Sequence, residues 1–456
     1  MNDASARAGL TSLRNNLDRA ALGAELHDRI RRLYPICRSI TGNGVRETLR
    51  ILNEEIDVHV QEIPTGTRAF DWVIPKEWNI KDAYIKTSDG VRIVDFNQSN
   101  LHVVNYSVPV HEVMTLSELR PHLHSIAEHP DWIPYKTSYY SESWGFCLPH
   151  RQLESLRDDQ YEVYIDSSLE NGSLTIGECV LPGRETEEVL ISCHVCHPSL
   201  ANDNLSGVSV GVTLARLLAT TSHRYTYRFL FIPGTIGAIA WLSRNEETAG
   251  RIRHGLVLAC AGDRGAVTYK RSRQGNAAID RAVVHVLKQS GNRYDVEDFR
   301  PYGYDERQYC SPAFDLPVGV LSRTPYRRFP EYHTSADNLD FVDPLSLADT
   351  VFTSLATLDV IESDVVYCNL NPKCEPQLGR RGLYASLGGH GGSREIEMAL
   401  LWVLNLSDGR HSLLDIAEQS GLPFGVVQTA AEALVRHKLL RESVGPLVSD
   451  FPDHVR

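Results

Sequence analysis

The chain has 456 residues, 42% of them hydrophobic and 23% charged. That is ordinary globular usage, which excludes wholesale disorder and predicts about three domains at roughly 150 residues each. The net charge of −12 argues against a broad phosphate-binding surface.

No apolar run reaches the ~20 residues of a membrane-crossing helix. The first 22 residues carry Asp3, Arg7, Arg14, Asp18 and Arg19 without an apolar core, so a cytoplasmic protein is expected. The nine cysteines are odd in number and scattered, which argues against a disulfide framework. Cys193 and Cys196 form a C-x-x-C with no second pair at zinc-ribbon spacing. Buried free thiols at a strand end are the simplest expectation.

In chain order, Glu25–Tyr34 and Gly44–Glu55 read as helices, the second with Val45, Leu49 and Leu52 on one face. From about Val60, short β-rich runs alternate with turn signals. These include Asp71–Pro75, Val91–Asp95, Leu101–Val104 and Thr137–Cys147. Four of the six tryptophans fall in this stretch, which predicts a small β-rich domain over 61–156.

From Tyr161 to Ile361, apolar strands alternate with amphipathic helices. Strands are expected at Glu188–Cys193, Arg228–Pro233, Leu256–Ala261 and Pro317–Ser322. Helices are expected at Ser206–Ala219, Ile236–Asn245, Asn276–Gln289 and Ser346–Ile361. The fold class is α/β, a mostly parallel sheet covered on both faces, whose ligands sit outside the carboxyl ends of the strands. The domain runs over 157–365, with residues 1–60 as its N-terminal helices, so the β-rich domain is an insertion. A Gly-, Asn- and Pro-rich linker is expected over 366–392. Helices at Arg394–Leu404, Ser412–Ser420 and Pro423–His437, then a hairpin at Leu439–Val448, pattern as a winged-helix domain over 393–456.

The stretch from Ser192 to Gly207 carries His194, His197 and Asp203 between an apolar strand and a helix. Imidazoles and a carboxylate at one sheet edge are the ligand types of Zn²⁺. The bland alternative is a capping Asp203 and a surface His197. Phe329–Asn338 lies before the last helix of the unit and offers His333 as a further ligand, with Asp337 to orient a ring or cap a helix. Asp263 follows the strand Leu256–Ala261, and Asp305-Glu306 lies in a loop with Tyr302 and Tyr304. These carboxylates are weaker candidates.

Taken together, Asp71–Ile80, Thr137–Tyr140, Cys196–Ser199, Asn202–Gly207 and Glu331–Ser335 resemble a bacterial family of aminopeptidase-like proteins. That family combines the zinc aminopeptidase fold (peptidase clan MH) with an inserted β-domain and a C-terminal winged helix. The resemblance implies a metal set of His197, Asp203 and His333, with Asp263 matching less well and His194 competing with His197. The zinc aminopeptidases also carry two adjacent glutamates after the strand matching Arg228–Pro233, the first the general base and the second a ligand, and the closer family usually has Pro-Glu-Thr-Ile-Gly there. This chain has Gly234-Thr235 there.

The resemblance therefore implies one Zn²⁺ rather than two, and a proton acceptor from elsewhere. Glu306 is the first candidate and Glu331 another. The expected function is hydrolysis of an amide or peptide-like small substrate under the β-domain as a roof. The alternative is a non-catalytic metal- or ligand-binding protein on a degenerate peptidase fold. A homo-oligomer stays open. Nucleic acid is disfavoured, because Pro423–His437 is basic only at its end.

Overall fold

The computed structural model describes residues 4–383 and 393–443. They divide into a larger unit, which ends at Val284 and resumes over Asn292–Leu355, and a smaller one made of His285–Gly291 and the chain from Ala356.

The larger unit is built on an eight-stranded sheet. Its strands are β1 (His59–Pro64), β2 (Ser173–Leu181), β3 (Glu188–His194), β4 (Thr226–Ile232), β5 (Ile252–Leu258), β6 (Val267–Lys270), β7 (Tyr294–Glu297) and β8 (Val318–Ser322). The order across the sheet is β1-β2-β4-β3-β5-β8-β6-β7. The central strands β4, β3, β5 and β8 are parallel, whereas β1, β2 and β6 pair antiparallel to their inner neighbours. Every residue of β3 and β8 is buried. Such strands are covered on both faces, which is why they read as continuous apolar runs.

The expected helices form as Gly207–Leu218, Ile236–Arg244, Ala278–Gln289 and Pro344–Ser363. The last is long and apolar enough to cross a membrane by length and composition alone, yet 67% of its most apolar 18-residue stretch is buried. The N-terminal helices Arg19–Leu33 and Asn43–Leu52 belong to this unit. Arg29 is only 3% exposed. Its guanidinium donates to Ser209 Oγ and Thr213 Oγ1, both at 2.9 Å, and to Glu55. This ties the first of these helices to Gly207–Leu218 and to the end of the second. A further helix, Ala4–Asn15, was not anticipated.

The β-rich segment expected over 61–156 falls in chain order between β1 and β2 of the large sheet. Its four-stranded sheet is formed by Glu77–Thr87, Arg92–Asp95, Val110–Thr115 and Gln160–Glu170. The chain leaves the large sheet at the end of β1 and re-enters on β2, its antiparallel neighbour from His59↔Glu178 to Pro64↔Ser173. Strand texture alone cannot say which sheet a strand joins, so β1 was assigned to the insertion and Gln160–Glu170 to the α/β domain. Leu101–Val104 is a 3₁₀ turn at Asn100–His102 rather than a strand.

In the smaller unit the helices are Ser393–Leu406, Leu413–Ser420 and Phe424–Arg436. A capping box joins Ser412 and Asp415 at the start of the second, which stabilises a short helix by satisfying its free N–H groups. The expected linker at 366–392 begins with Val366–Asn369, the middle strand of a three-stranded sheet with Asp408–Ser412 and Leu440–Glu442. A four-residue strand followed by Asn and Pro is hard to distinguish from loop. Leu440–Glu442, the start of the expected hairpin at Leu439–Val448, pairs with Val366–Asn369. Residues 384–392 and 444–448 lie outside the described residues.

Candidate functional site

Asp203 is fully buried, at 0% exposure, and three imidazoles surround it. His194 Nε2 is 2.9 Å from Oδ1, His333 Nε2 is 3.0 Å from Oδ2, and His197 Nε2 is 4.0 Å from Oδ2. The ring centroids of His194 and His197 are 5.0 Å apart, and those of His197 and His333 5.1 Å. His194 ends β3, His197 follows three residues later, and His333 enters from the loop before the helix Pro344–Ser363. The carboxyl end of the sheet brings them together.

The segment around Asp203 is held by its neighbours. Asn202 Nδ2 donates to Asp263 at 3.0 Å, and Asn202 Oδ1 accepts from Gly262 N at 2.8 Å. Asn204 Nδ2 donates to Leu258 O at 2.9 Å and Oδ1 accepts from Cys260 N at 3.2 Å. Ser206 Oγ accepts from Ala261 N at 2.8 Å. The two asparagines and the serine thus knit the segment to the chain after β5 and leave Asp203 aimed at the imidazoles. Gly207 has no alternative, because a Cβ there would stand 2.3 Å from Leu258 O. Asp337 accepts from Asn202 N at 2.6 Å and Asp203 N at 2.9 Å.

Burial sets the electrostatics. Desolvation holds the His197 imidazole down at about 3, so it stays neutral, which is the form that ligates metal. Asp203 is held well below the usual carboxylate range; burial opposes this, and the surrounding imidazoles outweigh it. Desolvation pushes the Asp337 carboxyl up to about 8 and that of Asp305 up to about 7.

A cavity of about 130 Å³ is lined by His194, His197, Gly234, Thr235, Tyr304 and Asp305 among others. Tyr304 stacks on His194 at 5.0 Å. A second cavity of about 230 Å³ shares Tyr302, Tyr304 and Tyr326 with the first and is bordered by Lys270, Arg300 and Arg327. One residue of the segment between β1 and β2, Tyr135, reaches the imidazoles. Tyr135 N donates to His333 O at 2.8 Å, and its ring lies 5.0 Å from His333 and 5.3 Å from His197.

The weaker sequence candidates fall differently. Asp263 is a strut: its two oxygens accept from Asn202 Nδ2, Gly265 N, Thr324 N and Thr324 Oγ1. Neither Asp263 nor His333 is in the cluster of His194, His197 and Asp203, whose candidate ligand atoms lie within 4.8 Å of one another, but His333 reaches Asp203 Oδ2 directly at 3.0 Å. Glu306 faces the second cavity and is paired with Lys270 at 2.7 Å. Its neighbour Asp305 is the carboxylate in the first cavity, a choice that adjacent loop residues gave no spacing signal to make. Glu331 lines neither cavity. Cys193 Sγ donates to Gly207 O at 3.2 Å, and burial holds the Cys196 thiol up at about 12. Both are packed thiols of low reactivity. Tyr135 was missed, because only the tertiary fold brings the insertion here.

The fit to a metal follows from these distances. Ligand atoms 2.0–2.1 Å from a tetrahedral zinc stand roughly 3.3–3.4 Å from one another. The separations of His333 and His197 from Asp203 Oδ2, 3.0 and 4.0 Å, bracket that figure. Two imidazoles and a carboxylate, with the cavity beside them, are the donor types of an open zinc site.

Residues 27–364 match the family described as "Domain of unknown function (DUF4910)". The chain belongs to this family. Residues 365–442 match a winged helix-turn-helix family. A Clostridium acetobutylicum protein named "Putative polysaccharide biosynthesis protein with aminopeptidase-like domain" is 52% identical over 419 residues, which cover 92% of this chain and 96% of that one. A crystal structure from the same organism, described as a "putative peptidase", superposes with a TM-score of 0.91 at 50% identity, covering 96% of this chain and 100% of that one.

The zinc aminopeptidase of Bacillus subtilis superposes with a TM-score of 0.55 at 12% identity, over 74% of this chain and 94% of its own. A peptidase M28 precursor of Shewanella amazonensis gives 0.54 at 13%, over 79% and 97%. At such identities these two structures show the fold alone. The aminopeptidase-type α/β fold and the C-terminal winged helix expected from the sequence are both present.

Proposed function

We propose that this protein is a zinc-dependent hydrolase of an amide or peptide-like small substrate. The observation that carries the reading is the buried Asp203 carboxylate among His194, His197 and His333, with His194 and His197 lining a cavity. His197, Asp203 and His333 would hold the ion, and His194 would orient Asp203 through its Oδ1. With Asp263 engaged elsewhere and Gly234-Thr235 in place of two glutamates, one ion is proposed rather than two. When bound, zinc supplies a Lewis acid that polarises an amide carbonyl. The chain's own part is to bind and orient. Tyr304 and Tyr135 wall the site with aromatic faces, and the 130 and 230 Å³ cavities limit the substrate to a small molecule. We assign the winged helix to packing or partner contact.

A second reading rests on Gly234: without a glutamate there, the protein would bind metal or ligand and not turn over. One experiment separates these. The full chain is loaded with zinc, its metal content is measured by plasma emission, and it is assayed on a panel of aminoacyl amides. We expect about one zinc per chain, lost in Asp203→Ala and strongly reduced in His333→Ala, with both variants folded. Unchanged occupancy in these variants sinks the metal site. Full occupancy with no hydrolysis across the panel favours the non-catalytic reading.

A further inference from the structure

Gly234 removes a carboxylate from the wall of the cavity, and the structure returns one from another element. Asp305 lies between β7 and β8, at the start of the short helix Glu306–Tyr309. It is 0% exposed, and neither of its carboxylate oxygens has a hydrogen-bond partner among the described residues. It lines the same cavity as His194, His197 and Gly234. A Cβ built on residue 234 would stand 3.5 and 3.6 Å from the two Asp305 oxygens. The carboxylate therefore stands in van der Waals contact with the point where a side chain at 234 would begin, and His194 Cβ is nearer still at 3.2 Å.

We propose that Asp305 is the proton acceptor of this site, in place of the glutamate absent at 234. The inference rests on the hydrolase reading above. The other buried carboxylates nearby are engaged. Asp203 faces the imidazoles, Asp337 holds two backbone N–H groups, Asp263 accepts four donors, and Glu306 is paired with Lys270. Thr235, the other residue at the vacated position, carries a hydroxyl, which is a poor base at neutral pH. A buried carboxylate without a donor is costly to keep, and such groups concentrate where they have a chemical task.

The step is a hydrolysis and balances as one. Asp305 takes a proton from the attacking water, whose oxygen forms a bond to the amide carbon. Asp305 then passes that proton to the leaving nitrogen as the carbon–nitrogen bond breaks. The products are a carboxylic acid and an amine, and Asp305 returns to its ionised form.

The test compares the zinc-loaded full chain with Asp305→Asn and Asp305→Ala, each checked for folding by circular dichroism. Three quantities are read: zinc per chain by plasma emission, the affinity for leucine hydroxamate by calorimetry, and turnover of aminoacyl p-nitroanilides. A hydroxamic acid must give up its O–H proton to bind tightly, so its affinity reports on the acceptor even where no anilide is cleaved. We expect zinc content to stay unchanged, hydroxamate affinity to fall at least tenfold, and any anilide kcat to fall about 10²–10⁴-fold with KM changed less than threefold. Gly234→Glu added to Asp305→Asn should recover at least tenfold of the lost hydroxamate affinity.

Loss of zinc in Asp305→Asn would make the residue a ligand and overturn its role as base. Unchanged hydroxamate affinity and kcat would overturn it as well. Failure of the native chain to bind zinc would instead remove the hydrolase reading itself, so the two failures are distinguishable.

Discussion

Asp337 is the residue on which the geometry of the centre depends, although it contacts no imidazole in the hydrogen-bond network. Its carboxylate is fully buried and accepts from the backbone N–H groups of Asn202 and Asp203. Asp337→Ala would strand both. Each buried N–H left without a partner costs about 1–3 kcal/mol, so two give about 2–6 kcal/mol. The carboxyl is itself unfavourably buried, pushed up to about 8 by desolvation, and its removal returns part of that cost.

A net loss of about 2–4 kcal/mol of stability is therefore expected. It should be read in zinc-free protein as a lower urea midpoint at unchanged slope. The freed Asp203 backbone should also lower zinc affinity about 10–100-fold, as loss of an orienting partner does. Asp337→Asn keeps one carbonyl oxygen and should lose about half as much stability. A loss below about 1 kcal/mol for Asp337→Ala, with zinc affinity intact, would refute the claim that this carboxylate holds the Asp203 segment in place.

Three further outcomes are expected. Gly42 has φ +95°, and a Cβ there would lie 2.1 Å from Trp78 O; Gly42→Ala should cost about 3 kcal/mol or more in thermal or urea unfolding, and a loss under about 1 kcal/mol would show that this junction yields. Glu77 receives two bonds of 2.7 Å from Arg46 and one of 2.9 Å from Ser173 N, so Glu77→Gln should cost about 1–2 kcal/mol after allowing for solvent screening. The Arg46 bond chiefly holds its carboxyl down at about 2, so this contribution is present above the unfolded value near 4.3 and is lost as pH falls from there through about 2; an acid-unfolding curve that Glu77→Gln leaves unmoved would contradict it. The helix Phe424–Arg436 carries only Glu432 and Arg436 as charges, so duplex DNA should bind no tighter than about 10⁻⁶ M at physiological salt; tight, steeply salt-dependent binding would reverse our assignment of the winged helix.

Much of the candidate site was legible in the chain. His197, Asp203 and His333 stand out because imidazoles and a carboxylate sit beside apolar strands, and such strands end at one edge of a parallel sheet. The Asn-Asp-Asn-x-Ser-Gly stretch is legible too, since its side chains act on their own local backbone and on the next strand end. Strands such as β3 and β8 could be placed to within a residue or two, because burial on both faces writes itself as an unbroken apolar run.

What the sequence determined by itself was therefore the fold class, the residue types of the centre and the absence of a side chain at 234. The tertiary structure decided which carboxylates do what. Asp263 and Asp305 are both acidic residues in loops after strands. One is saturated by Asn202, Gly265 and Thr324; the other faces a cavity with no donor. Those donors lie up to 61 residues away, and Gly234 lies 71 positions from Asp305. The boundaries of the insertion went the same way: β1 belongs to the large sheet because its partner is β2, across the whole inserted segment. A side chain's type and local spacing are written in the chain, but the donors, charges and strands that it meets come from distant segments and exist only once the chain has closed around it.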